Sequence, residues 1–192
     1  ISTILKRKPK LVCIPNPDSP TGNFFKIKEI EILLNKARNV GSLVLIDEAY
    51  YPFYPYTCVK LLKKYKNLII TRTTAKAWGL AGMRVGYVIS SKKNIKEMHK
   101  VKPMYEVNNV GATLFSSLLE KKKLIDNSVK RLMEGKLYFR KELRKLGFAV
   151  FAKEEGNFIH VDFKKYRKKI IKKLSKNIYF RHKENHKSLK NF

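Results

Sequence analysis

Lys76 stands in TRTTAKAWGLAGMRVGY (71–87), among small residues and glycines, with Thr73 three positions before it and Arg84 eight after. A lysine amine attacks a carbonyl carbon to form an imine, and neighbouring positive charge favours the neutral amine that does so. Arg84 offers a fixed guanidinium whose two-pronged geometry suits a phosphate, and Thr73 adds a hydroxyl. Upstream, DEAYYPF (47–53) carries Asp47 and Tyr50. A carboxylate there can pair with a protonated ring nitrogen, and a phenol can donate to an oxyanion. Earlier still, PNPDSPTG (15–22) holds three prolines with Asn, Asp and Gly, which forces a rigid turn and carries Ser19. Each stretch also has a plainer reading. Lys76 can be one surface lysine among many, Asp47 a helix cap or ion-pair partner, and the 15–22 stretch only a turn.

The elements that would have to position these residues follow from the periodicity. LVCI (11–14) reads as a short buried strand. FFKIKEIEILLNKARNV (24–40) has apolar residues at helical spacing and ends at Gly41. SLVLIDEAY (42–50), NLIITRT (67–73) and MRVGYVIS (83–90) read as strands, with a short helix near 59–66. This alternation predicts an α/β fold, a mostly parallel sheet with helices on both faces. In such sheets ligands gather at the carboxyl ends of the strands, where Asp47, Thr73 and the 15–22 turn all fall. From residue 92 the pattern is helical, through KNIKEMHKV and then from about 108 to 145. After Gly147, FAVFA (148–152), NFIHVDF (157–163) and NIYFR (177–181) read as three short strands, with a lysine-rich helix between the last two. Residues 1–143 are thus expected to be part of a large domain with its connecting long helix, and 144–192 part of a smaller, incomplete α+β domain.

NPDSPTG, DEAYYPF and TRTTAKAWGLAGMRVGY, in this order and at these intervals, resemble the fold-type I pyridoxal-phosphate aminotransferases of class I/II, most closely the histidinol-phosphate aminotransferase branch. The resemblance implies pyridoxal 5′-phosphate as cofactor and amino-group transfer between an amino acid and a keto or phosphorylated substrate. It implies that Lys76 carries the cofactor as an internal aldimine and shuttles the substrate's α-proton. Asp47 would pair with the pyridinium nitrogen, Tyr50 would hydrogen-bond the ring 3′-oxygen, and Thr73 and Arg84 would hold the phosphate. Ser19 stands where the family usually has Asn, Ala75 where Ser is common, and Trp78 where Phe is usual. EEGNFIHVDF (154–163) resembles the family's strand near the substrate, so Asn157 reads as a substrate contact or as a strand-end turn residue. Arg181 reads as the arginine for the substrate's phosphate or acid end, or as one more exposed cation. The family is dimeric, so a homodimer is implied when the chain is complete. A decarboxylase of an amino-acid phosphate on the same fold would use the same lysine and ring-binding residues.

The formal charge is +28 over 192 residues. That balance permits binding to nucleic acid or an anionic membrane, and a basic nucleic-acid-binding protein is the non-enzyme alternative, expected to bind with steep salt dependence and without need of Lys76. Against it, the lysines are spread along most of the chain, and Lys, Ile, Asn, Tyr and Phe share A/T-rich codons. The expected reading is therefore no specific nucleic-acid partner, no membrane and a small-molecule substrate. Cys13 and Cys58, each in or beside an apolar run, are expected to be buried free thiols, which fits a reducing cytoplasmic compartment. His160, His182 and His186 lack metal-like spacing and read as structural or solvent-facing. No signal peptide is expected, and no apolar run comes near the roughly 20 residues of a membrane span. The chain starts without Met and is expected to be a fragment or a degenerate homologue that turns over little by itself.

Overall fold

A computed structural model describes residues 1, 5–151 and 155–181. Three apolar strands lie side by side and parallel: β1 (Leu11–Pro15), β2 (Leu43–Asp47) and β3 (Leu68–Thr73). A fourth, β4 (Gly86–Ser90), runs antiparallel against β3, giving the order β1-β2-β3-β4. The register sets Pro15 opposite Asp47 and Asp47 opposite Thr71, so the carboxyl ends of the parallel strands are level. This is the mostly parallel sheet that the alternation predicts.

Helix α1 (Ile27–Asn39) buries Ile30, Leu33, Leu34 and Ala37, one stripe at helical spacing. They form one core with Val12, Val44, Ile46, Leu68 and Ile70 of the sheet. Full burial of such aliphatic side chains contributes roughly 1.5–3 kcal/mol each. The helix begins later than the periodicity predicts because Phe24 and Phe25 are held extended. The buried side chain of Asn16 brackets Phe25, its Oδ1 accepting from Phe25 N at 2.7 Å and its Nδ2 donating to Phe25 O at 3.2 Å.

Other boundaries moved for similarly local reasons. Strand β2 ends at Asp47 rather than Tyr50, where Asp47 Oδ1 accepts from Ala49 N at 3.0 Å and bends the chain out of the sheet. Strand β4 starts at Gly86 because a 3₁₀ turn (Ala81–Met83) and a left-handed Arg84 (φ 55°) precede it. The short helix expected near 59–66 is a 3₁₀ turn, Cys58–Lys63. Cys13 is exposed, against expectation, since alternate β1 side chains face opposite ways and Val12 takes the inward position. Cys58 is fully buried, and burial together with the neighbouring Glu48 pushes its thiol up to about 12, so it stays protonated at neutral pH as a packing group.

Three helices follow: α2 (Lys92–His99), α3 (Asn109–Glu120) and the 24-residue α4 (Lys122–Lys145). The expected helical stretch from 108 to 145 is broken at Lys121. Asn108 caps α3 through Gly111 N at 2.7 Å and donates to Met83 O at 2.7 Å. Gly111 is required at this contact, because a Cβ would fall 2.7 Å from Val85 Cγ2 and 3.1 Å from Met83 O. The start of α3 is thereby clamped to the loop that carries Arg84.

Beyond α4, β5 (Ala149–Val150) and β6 (Val161–Asp162) form a two-stranded antiparallel sheet, followed by α5 (Arg167–Leu174). Both strands are much shorter than the sequence suggests. The strand expected at 177–181 does not form. Asn177 N and Ile178 N both donate to Leu174 O, closing the end of α5, and 178–181 run on irregularly. Among the described residues no helix is long and apolar enough to cross a membrane.

Candidate functional site

The 15–22 turn is fastened at both ends. Asn16 N donates to Asp47 O at 2.8 Å, and inside the turn Gly22 N donates to Asp18 O at 2.8 Å while Thr21 donates to the Asp18 carboxylate. This leaves Ser19 exposed at the tip. Tyr50, buried, reaches it from the β2 end and donates its hydroxyl to Ser19 Oγ at 3.3 Å. The two hydroxyls that the resemblance aims at one ring oxygen are therefore neighbours.

Asp47 is half-buried, and its Oδ1 accepts from Ala49 N and, at 3.2 Å, from Thr71 Oγ1. Both bonds fall on one oxygen, and no described residue donates to Oδ2. The adjacent Glu48 points the other way and is 1% exposed. Its Oε2 accepts from Arg72 Nε at 3.0 Å and from an Arg72 terminal nitrogen at 2.8 Å, its Oε1 from Cys58 N at 2.6 Å, and both oxygens from Thr57. Burial works against the Arg72 charge, yet the bonds to Glu48 and Tyr87 hold its pKa above the usual value. The Arg72 guanidinium also lies 3.7 Å from the Tyr51 ring centroid. Glu48 and Arg72 thus pin the 47–53 segment to β3, a function that the motif reading missed. The signal was a second acid at the end of an apolar strand, with an arginine just past Thr71 on the neighbouring one.

The 73–84 loop is held from beneath. Thr73 Oγ1 accepts from Ala75 N at 3.0 Å, a tight turn that lifts the chain off β3. Thr74 is fully buried and gives its hydroxyl to Val85 O at 2.8 Å, so it does not replace the serine hydroxyl missing at Ala75. Ala77 is buried against Tyr50 and Phe53, and Trp78 stands edge-on to Phe115 of α3 at 5.0 Å. Between these anchors Lys76 projects outward, with Nζ 5.3 Å from the Tyr50 ring centroid. Arg84 is exposed and donates to Ala81 O at 3.2 Å.

A cavity of about 500 Å³ opens here. Ser19, Tyr50, Lys76, Asn157 and Arg181 all line it, so five of the eight sequence-selected residues meet on one wall system. Asp47, Thr73 and Arg84 are not on that wall; Asp47 and Thr73 end β2 and β3, and Arg84 lies just before β4. Among the described residues no carboxylate lines the cavity. His160 also lines it and is buried, in line with the structural alternative of its reading and not with the solvent-facing one. His182 and His186 lie outside the described residues.

The family profile for aminotransferase class I and II matches residues 1–186. The histidinol-phosphate aminotransferase of Thermotoga neapolitana is 37% identical over 173 residues, covering 89% of this chain and 50% of that protein. Two solved structures are similar in fold. The histidinol-phosphate aminotransferase from Clostridium acetobutylicum has a TM-score of 0.84 at 24% identity, covering 98% of this chain and 59% of that one. That from Sinorhizobium meliloti, in complex with pyridoxal-5′-phosphate, has a TM-score of 0.81 at 23% identity, with 94% and 50% covered. The chain spans about half the length of the curated relatives it matches.

Proposed function

The chain belongs to the aminotransferase class I and II family, and on that premise we propose that it works as a pyridoxal-phosphate-dependent aminotransferase of the histidinol-phosphate aminotransferase kind. What carries this reading is one cavity that gathers an outward lysine amine, a paired phenol and hydroxyl, and an arginine, beside the level carboxyl ends of parallel strands. The donor set fits the cofactor. Lys76 is an accessible primary amine, Tyr50 and Ser19 offer hydroxyls to a ring oxygen, Asp47 keeps Oδ2 for a protonated ring nitrogen, and Thr73 and Arg84, three before and eight after the lysine in sequence, are the candidates for a phosphate.

The cofactor, when bound, supplies an electron sink for the charge left on the substrate's α-carbon. The chain's own residues do the rest. Lys76 Nζ would hold the cofactor covalently and, when free, would take the proton from the substrate's α-carbon as general base and deliver it as general acid to the cofactor's C4′. Asp47 would keep the ring nitrogen protonated by pairing with it. With Lys76 and Arg181 on the wall and no described carboxylate, the cavity selects an anionic substrate, Arg181 taking its phosphate or acid end and Asn157 a second polar contact. Residues 1–143 are proposed to be part of the cofactor-binding domain and 144–192 part of a smaller domain.

In a single-turnover mixture with pyridoxal phosphate and an amino-acid donor such as glutamate, the protein is expected to convert its bound cofactor once to the amine form and release a matching amount of keto acid, a half-reaction that the low turnover expected of this chain by itself does not hide. No keto acid at saturating cofactor rejects the aminotransferase reading, and release of carbon dioxide from an amino-acid phosphate identifies the decarboxylase instead. The protein is further proposed to act in the cytoplasm as a homodimer. Val101, Met104 and Tyr105, 82%, 80% and 88% exposed, support an apolar contact surface there. Sedimentation as a single chain at every concentration contradicts the dimer.

A further inference from the structure

Helix α4 turns one stripe toward the site. Val129 and Met133 pack against the Tyr50, Phe53 and Ala77 cluster that supports the Lys76 loop. Three residues on from Met133, on the same stripe, stands Lys136, only 7% exposed. A lysine at such a place costs stability unless its ammonium is bonded, because burial removes its hydration. Its Nζ donates to Gly156 O at 2.7 Å and lies 5.9 Å from the Phe158 ring centroid.

The backbone it holds is closely fitted. Gly156 has φ 104°, and a Cβ on it would lie 2.9 Å from Phe158 Cε1 and 3.2 Å from Tyr50 Cδ1. Phe158 stands edge-on to Tyr50 at 5.3 Å. Glu155 N donates to Gly22 O at 2.8 Å, tying the same turn to the one that carries Ser19. Asn157, between the gripped Gly156 and the packed Phe158, lines the cavity.

We propose that Lys136 is a positioning residue: its ammonium holds the 155–158 turn against Tyr50, and so fixes Asn157 and the Tyr50 hydroxyl at the cavity. Its effect on substrate rests on the aminotransferase reading; its effect on the turn does not. Lys136→Met keeps the length and apolar body of the side chain and removes the donor, whereas Lys136→Arg keeps charge and donors. Amide hydrogen exchange of the protein without cofactor reads the turn directly. Lys136→Met is expected to speed exchange of the Glu155 amide, which donates to Gly22 O, about tenfold through loss of the charged hydrogen bond to Gly156 O, with Lys136→Arg restoring most of the protection.

With cofactor and keto substrate, Lys136→Met is expected to raise KM about tenfold with kcat little changed, and Lys136→Arg to reverse it. If the wild-type protein forms no cofactor complex, the aminotransferase reading fails and the exchange result still decides the role of Lys136. Exchange of the Glu155 amide equal in wild type and Lys136→Met, or no rescue by Lys136→Arg, overturns the proposal. Should Lys136→Met not fold, Lys136→Gln, of shorter reach, takes its place with the same expectations.

Discussion

Lys76→Ala is expected to abolish the visible absorbance that appears when pyridoxal phosphate is added, and to lower amino-group transfer by a factor on the order of 10³ or more. The fold should be indifferent to the change. Lys76 projects from a loop whose anchors are Thr73, Thr74, Ala77 and Trp78, so its removal should alter unfolding free energy by no more than about 0.5 kcal/mol. Lys76→Arg separates chemistry from charge. It keeps the positive charge at the cavity, but a guanidinium that never deprotonates in proteins cannot form the covalent link. The Arg variant should therefore be as dead as the Ala variant. If the cation alone mattered, as on a polyanion-binding surface, Arg would restore function. Lys66→Ala, an exposed lysine outside the cavity, serves as the control. Activity or an absorbance band surviving in Lys76→Arg would remove Lys76 from the chemistry.

The same residues show which parts of this molecule can be read from sequence. The three parallel strands were legible because each is a continuous apolar run bounded by turn residues, and their level ends followed from the motifs that terminate them. Lys76, Tyr50 and Ser19 were singled out by their motifs, and the structure places all three on one cavity. What local periodicity could not show were boundaries set by distant partners. Phe24 and Phe25 have helical apolar spacing, yet Asn16, nine positions before Phe25, holds the chain extended. NIYFR looks like a strand, but turn bonds to Leu174 take its first amides, and no described neighbour pairs with it. Cys13 illustrates the same limit. An apolar run names a strand without saying which side chains face inward, and here α1 covers the Val12 side. Lys136 was hidden by composition, one lysine in a chain of 43 Lys and Arg, and only its burial sets it apart.

Glu48 was hidden by its neighbour, since Asp47 satisfied the motif and left the second acid without a question attached. Its geometry makes it the most consequential structural residue near the site. Glu48→Ala leaves the Arg72 guanidinium, with its side chain only 11% exposed, bonded to Thr57 without a counter-charge, and Cys58 N without its acceptor. Removing one partner of a buried ion pair costs about 3–5 kcal/mol, largely the desolvation of the charge left behind. Urea unfolding of Glu48→Ala should show that loss, and the variant should bind pyridoxal phosphate less tightly because Tyr50 sits two residues along the loosened segment. The control is Arg72→Met in both backgrounds. Alone it should destabilise by a comparable amount, leaving Glu48 as the unpaired charge. On top of Glu48→Ala it should cost far less, because no isolated charge remains to be buried. Full additivity of the two losses would show that Glu48 and Arg72 do not act as a unit. A lossless Glu48→Ala would show that backbone pairing between β2 and β3 alone holds the segment that presents Tyr50.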